Sequence, residues 1–159
     1  MTERPYVAVC GAGVAIEREA AWAEEIGRLL AEAGAVLVCG GLGGVMDAAA
    51  RGCASAGGTS IGILPGESRS AASPHLSVAI PTGLGEARNA LVVRAADVVI
   101  AVGGEFGTLS EIALALKTGR PVVGLGTWEL ARDGQAVEAI ERASNPAEAV
   151  RRALVLVGA

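Results

Sequence analysis

The sequence predicts a three-layer α/β fold built on a doubly wound parallel sheet. Three observations predict it. Short apolar runs alternate with helix-patterned segments along the chain. The runs are continuous rather than alternately apolar and polar, as strands covered on both faces must be. Several of them end in small or glycine-rich turns. At 159 residues and 52% apolar content, the chain is long enough to bury a core as one domain.

Residues 6–10 (YVAVC) are the first strand, which stops at Gly11-Ala-Gly13. Residues 16–33 follow with helical spacing: Trp22, Ile26, Leu29 and Leu30 share a stripe, and Glu17, Glu24, Arg28 and Glu32 lie mostly opposite. Gly34 closes this helix. Residues 35–39 (AVLVC) are the second strand and break into Gly40-Gly-Leu-Gly-Gly44. A small-residue helix over 45–56 is closed by Gly57-Gly58, and residues 59–64 are the third strand. Residues 65–76 carry no period and are rich in Ser and Gly, which predicts a loop. Residues 77–81 read as a short strand, 86–95 as a helix and 97–102 (DVVIAV) as a strongly apolar strand. Gly103-Gly-Glu-Phe-Gly-Thr108 then turns into a helix that ends in IALALK. Residues 121–125 give a further strand. From about residue 133 the chain reads as helical, with a break at Asn145-Pro146. No repeat or linker interrupts the series, so residues 1–159 are expected to form a single Rossmann-like nucleotide-binding domain.

Composition removes several function classes. Net charge is −4, with twelve arginines and one lysine, Lys117. No basic run or basic-aromatic interleaving occurs, which argues against a nucleic-acid polymer as partner. A single nucleotide remains compatible, because a few arginines and helix N-termini suffice to bind one. Cys10, Cys39 and Cys53 are far apart without a CxxC, and His75 is the only histidine. That composition builds neither a zinc cluster nor a serine triad with a choice of base, so no metal and no cofactor is expected. Without a signal peptide or an apolar run of membrane-spanning length, the expected location is the cytoplasm and no membrane partner is expected.

In an open parallel sheet, ligands bind beyond the carboxyl ends of the strands, where strand order reverses. The candidate phosphate-binding residues there are Gly11, Gly13, Gly40, Gly41, Gly43, Gly44, Gly103, Gly104 and Gly107. Glycine lets backbone N–H groups approach a phosphate, and the following helix N-terminus adds a favourable dipole. Gly11-Ala-Gly-Val-Ala-Ile16 lacks the third glycine of a dinucleotide fingerprint, and no acid ends the second strand to hold a ribose. A Walker A loop is excluded, since the sole lysine follows Leu116.

Three segments carry a family resemblance: Gly83-Leu-Gly-Glu-Ala-Arg-Asn89, Ala96-Asp-Val-Val-Ile-Ala-Val-Gly-Gly-Glu-Phe-Gly-Thr-Leu-Ser-Glu111 and Lys117-Thr-Gly-Arg-Pro-Val-Val123. Together they resemble the superfamily once labelled "possible lysine decarboxylase". It includes the LONELY GUY phosphoribohydrolases and the molybdenum-cofactor carrier proteins. The glycine block Gly40-Gly-Leu-Gly-Gly-Val-Met46 and Gly57-Gly-Thr-Ser-Ile-Gly-Ile-Leu-Pro65 resemble its earlier segment. Phosphoribohydrolases of the superfamily carry an Arg-Lys pair and a PGGxGTxxE motif. Arg88 matches the arginine, and Asn89 stands in place of the lysine. Gly107, Thr108 and Glu111 match GTxxE, Gly104 is retained, Gly103 takes the proline position and Glu105 replaces the second glycine. These departures put the chain in a less characterised branch. The decarboxylase label itself fails on chemistry: a pyridoxal enzyme needs a Schiff-base lysine, and Lys117 lies about three helical turns beyond the glycine turn. Lys117 is expected to satisfy carbonyls at its helix end.

Thr108-Leu-Ser-Glu111 fits a capping box, with Thr108 as the cap and Glu111 at N3. The resemblance implies a second role for Glu111, handling water or ribose at a glycosidic carbon. There a carboxylate would stabilise oxocarbenium character. Arg88 opens a helix at its electropositive end and heads an apolar stripe, a poor place for a solvated cation. A fixed anion, Glu111 or a ligand phosphate, would explain it. Glu105 is expected to point outward, because in the turn it would repel phosphate. Asp47 and Arg51, at i and i+4, are expected to form a surface pair. The helix after Glu111 is apolar on every side, which predicts a homodimer or higher homo-oligomer.

Arg88 and Glu111 are thus candidate catalytic residues, with Asn89, Thr108 and the turn glycines as ligand contacts. The expected function is N-glycosidic hydrolysis of a nucleoside 5′-monophosphate; the alternative is non-catalytic carriage or sensing of a nucleotide or molybdopterin-like phosphorylated ligand.

Overall fold

The computed structural model describes residues 3–159. Its strands are β1 (Tyr6–Gly11), β2 (Val36–Cys39), β3 (Thr59–Leu64), β4 (Val78–Pro81), β5 (Val98–Val102) and β6 (Val122–Leu125), followed by the two-residue pieces β7 (Ala131–Arg132), β8 (Gln135–Ala136) and β9 (Glu141–Arg142). The helices are α1 (Glu17–Glu32), α2 (Val45–Ser55), α3 (Arg88–Ala95), α4 (Phe106–Lys117) and α5 (Pro146–Leu156). Seven strands form one sheet in the order β4-β3-β2-β1-β5-β6-β9, and every neighbouring pair in it is parallel. The chain runs outward from β1 to β4 and returns with β5 beside β1, so strand order reverses between β1 and β5.

The continuous apolar runs are buried on both faces. One face packs Val7, Val9, Leu37, Ile100 and Val102 under α1, α2 and α5. The other packs Ala8, Cys10, Val38, Val99 and Ala101 under α3 and α4. Ile26 and Leu30 of α1 are fully buried, and each such side chain contributes about 1.5–3 kcal/mol of burial. Two glycines bring α1 and α2 together. A Cβ on Gly27 would sit 2.0 Å from the carbonyl oxygen of Ala49, and one on Gly52 would sit 1.8 Å from that of Glu24. Across the same helix pair, Arg51 bridges Asp47 and Glu24 at 3.2 and 3.1 Å.

The C-terminal region departs from the helical expectation. Asp133 and Gly134 both adopt positive φ, 50° and 73°, as a two-residue hairpin turn of the primed type demands. They join β7 and β8 as an antiparallel pair, and β9 then adds to β6. Helix resumes only at Pro146. Asn145 is its cap, accepting from the Glu148 amide at 2.8 Å, with proline at the first helical position. The expected break is therefore a helix start. At the end of α4, the hydroxyl of Thr118 donates to the carbonyls of Leu114 and Ala115, the role assigned from sequence to Lys117.

Candidate functional site

A cleft of about 200 Å³ opens at the carboxyl ends of β1 and β5, where strand order reverses. The end of β1 supplies Cys10 and Gly11, followed by Ala12 and Gly13; the end of β2 supplies Gly40, and α2 supplies Met46. From the other half of the chain come Arg88 and Asn89 on α3, and Glu105, Gly107, Thr108 and Glu111 around the start of α4. Neither Cys10 nor Met46 was among the site residues expected from the sequence. The period of β1 places Cys10 with Ala8 on the α3–α4 face, at the last inward position before the turn. That is the signal that could have found it.

Arg88 is the first residue of α3 and is buried, at 9% exposure. Its Nη1 donates to Oδ1 of Asn89. Asn89 donates onward to Ser110 Oγ at 3.2 Å, and that hydroxyl donates to the Gly107 carbonyl at 2.6 Å. This relay fixes the start of α3 against the first turns of α4. Nη2 lies 2.7 Å from the place a Gly40 Cβ would take, so a side chain there would displace the guanidinium from this position. Among the described residues, Nε of Arg88 is buried without a hydrogen-bond partner, and no carboxylate lies within ion-pair distance of the guanidinium. A buried cation with an orphaned donor is costly unless an anion meets it.

Glu111 is 6% exposed. Burial raises its carboxyl to about 7, opposed by the hydrogen bond from the Cys10 thiol and by the charge of Arg88. The Cys10 thiol is itself pushed well above its ordinary value, first by burial and then by the Glu111 charge. The cleft thus holds one permanent cation and one carboxyl that titrates near neutrality.

The capping-box expectation is overturned. Helix α4 begins at Phe106 with Glu105 at the cap position, and no side chain caps it. Thr108 lies inside the helix and is buried. Glu111 sits three residues deeper than the box requires and faces the cleft. Glu105 does not simply point away: it is exposed and lines the rim of the cleft. Lys117 is exposed at the far end of α4 and does not line the cleft.

The glycines divide. Gly11, Gly13, Gly40 and Gly107 line the cleft, whereas Gly41, Gly43, Gly44, Gly103 and Gly104 do not. The reason for the second block is internal bracing. The Val45 amide that opens α2 donates to the Ala12 carbonyl at 3.0 Å. A Cβ on Gly44 would lie 2.1 Å from that same oxygen. This helix start is used to lock the β2 turn onto the β1 turn. Gly103 and Gly104, both at positive φ, line a separate shallow pocket with Glu19, Gly126, Thr127 and Trp128. There the Thr127 hydroxyl donates to the Gly103 carbonyl, and Trp128 Nε1 donates to the Glu105 carbonyl at 3.2 Å. The loop over residues 65–76 is anchored near the glycine block: the Ser73 hydroxyl donates to Asp47 at 2.6 Å and the Ser73 amide to the Gly41 carbonyl at 2.9 Å.

No group of three His, Cys, Asp or Glu side chains that could hold a metal occurs among the described residues. No helix among them is long and apolar enough to cross a membrane.

Comparison with known proteins agrees with the resemblance in the motifs. Two similar solved structures are the molybdenum cofactor binding protein from the phototrophic bacterium Rippkaea orientalis and the molybdenum cofactor carrier protein MCP from Chlamydomonas reinhardtii. The first is 35% identical with a TM-score of 0.88, covering 99% of each chain. The second is 36% identical with a TM-score of 0.88, covering 99% of this chain and all of the other (100%). An uncharacterized protein of Archaeoglobus fulgidus is 44% identical over 119 residues, 75% of this chain and 78% of that relative. The chain belongs to the SLOG cluster4 family, whose model matches residues 4–151.

Proposed function

We propose, with membership of the SLOG cluster4 family as the premise, that this protein binds and carries a phosphorylated small molecule, of which a molybdopterin-type cofactor is the leading candidate. The observation that carries the reading is Arg88: a buried guanidinium with an unpartnered Nε, set among glycine turns. A phosphate would complete its hydrogen bonding and offset its charge. The full-length similarity to two molybdenum cofactor binding and carrier proteins supports the same class of cargo. Carriage without turnover is favoured by Asn89, which stands where the superfamily's hydrolases have lysine and is committed to the relay from Arg88 to Ser110.

Hydrolysis of a nucleoside 5′-monophosphate is the second reading, and one observation favours it. Glu111 is a buried carboxyl with a value of about 7, tuned to exchange a proton at neutral pH. It could deprotonate water attacking the ribose carbon while Arg88 holds the phosphate. The two readings separate on one assay, in which the protein is incubated with a panel of nucleoside monophosphates and free base is followed over time. Carriage predicts thermal stabilisation without base release. Base release that disappears in Glu111→Gln would establish the hydrolase and overturn carriage.

A homo-oligomer through α4 belongs to the proposal. Leu109, Ala113 and Leu116 share one flank of that helix, Ala113 exposed and the two leucines half-buried. A monomeric mass by light scattering at micromolar concentration would remove it. The three free cysteines are all buried, which suits a reducing cytoplasm.

A further inference from the structure

The cleft around Arg88 is smaller than the roughly 300–1,000 Å³ typical of small-molecule sites. At about 200 Å³ it suits the phosphate end of a ligand better than the whole. A second cavity of about 480 Å³ adjoins it on the α3–α4 side. Asn89 and Gly107 line both, so the two spaces lie side by side and share that pair as a common wall. The outer groove is lined by Ala87, Ala90, Leu114 and the exposed Phe106, with Glu86 as its charged member.

Phe106 is 76% exposed, a poor position for a ring with no further role. It is also held in place. One side packs on Trp128, with centroids 5.5 Å apart and planes tilted by 34°, and Trp128 is tied to the backbone of the preceding residue. Only 3% of the chain is aromatic, and two of its four rings meet here, beside the Glu105 rim of the cleft.

Resting on the phosphate reading of the cleft, we infer that the groove between α3 and α4 is the ring subsite of the same ligand. The open face of Phe106 stacks on a fused bicyclic nitrogen heterocycle. The Glu86 carboxylate accepts from N–H donors at the ring's edge. A carboxylate is acceptor-only, so the site favours the 2-amino-4-oxo edge that guanine and pterins share over the edge of adenine. Stacking on an aromatic side chain tolerates any planar ring, whereas Glu86 supplies the discrimination.

The test measures dissociation constants of GMP, AMP and ribose 5-phosphate on the full chain by calorimetry. The variants are Phe106→Ala, Phe106→Tyr and Glu86→Gln, with scattering mass recorded for each. GMP should bind about tenfold or more tighter than ribose 5-phosphate. Phe106→Ala should abolish that margin and leave ribose 5-phosphate within about twofold, while Phe106→Tyr preserves it. Glu86→Gln should weaken GMP but not AMP. Equal weakening of GMP and ribose 5-phosphate in Phe106→Ala, or no weakening of GMP, overturns the ring subsite and leaves the phosphate cleft standing. A fall in oligomer mass in Phe106→Ala also overturns it, because a second copy of the chain would then cover the ring. Failure of all three probes to bind the unaltered protein overturns the cleft reading and the subsite together.

Discussion

Glycine serves opposite ends in two regions of this molecule. Where α1 crosses α2, Gly27 and Gly52 have no room at all: an added Cβ would lie 2.0 and 1.8 Å from backbone oxygens of the facing helix. In the cleft, Gly13 and Gly107 have nothing within 4 Å of the same position. The first pair is glycine because another helix is there, and the second is a candidate for glycine because a ligand is. A sequence count of 23 glycines does not distinguish them, and the expected response to the same substitution does.

The largest effect is expected at the crossing. Gly52→Ala should lose about 4 kcal/mol or more, or yield no folded protein, because backbone oxygen cannot rotate away as a side chain can. Urea denaturation measures it. A loss below about 1 kcal/mol would mean that the helices part easily and that the contrast with the cleft is false.

Next comes the cost of the cleft's own polarity. Glu111 rises from 4.5 to about 7 on folding, so between those values the folded state keeps a proton that the unfolded state has released. Stability is therefore greatest below about pH 4.5 with respect to this group. It falls by about 3 kcal/mol as pH climbs to 7, then levels off. Comparing wild type with Glu111→Gln by denaturation at pH 5 and pH 8 isolates the slope, which should be absent in the variant. An unchanged slope would show that Glu111 is ionised throughout. Phosphate-ligand affinity should weaken over the same interval, since an ionised Glu111 repels an anion beside Arg88.

The smallest stability effect is at Gly107, in the first turn of α4. Gly107→Ala should stabilise the protein by about 0.4–1 kcal/mol, as alanine does in an accommodating helix. Affinity for GMP should still fall about tenfold if a ligand backs onto this residue. Stability and binding moving together would erase the distinction between the two kinds of glycine.

How much of this was legible depends on whether the deciding contact is local. Strand boundaries and the placing of Arg88 and Glu111 at one sheet edge follow from apolar runs and turn residues, which are local. The geometry of Glu111 was misjudged because Thr108-Leu-Ser-Glu111 satisfies a capping pattern while the helix starts earlier, at Phe106. The Gly103-Gly104 pair, at φ 52° and 109°, completes the turn in fewer residues than the pattern assumes. Asp133-Gly134 was a readable hairpin signal that the neighbouring apolar pattern obscured. Met46 reaches the cleft only because the β2 turn is braced on the Ala12 carbonyl, and Gly52 meets α1 only through the sheet; neither contact exists within one segment.

The brace from Thr127 and Trp128 onto the Gly103–Glu105 peptides bears on how the protein comes into being. Gly11 and Gly40 are made early, Arg88 and Glu111 later, and the two side chains that pin the turn come after β6. Synthesis runs from the N-terminus, so a nascent chain that has emerged only through β4 presents glycine turns without their cation. A chain that has emerged through α4 has the cation but an unpinned turn. Completion of the cleft, with its cation in place and its turn pinned, would thus wait for the finished chain.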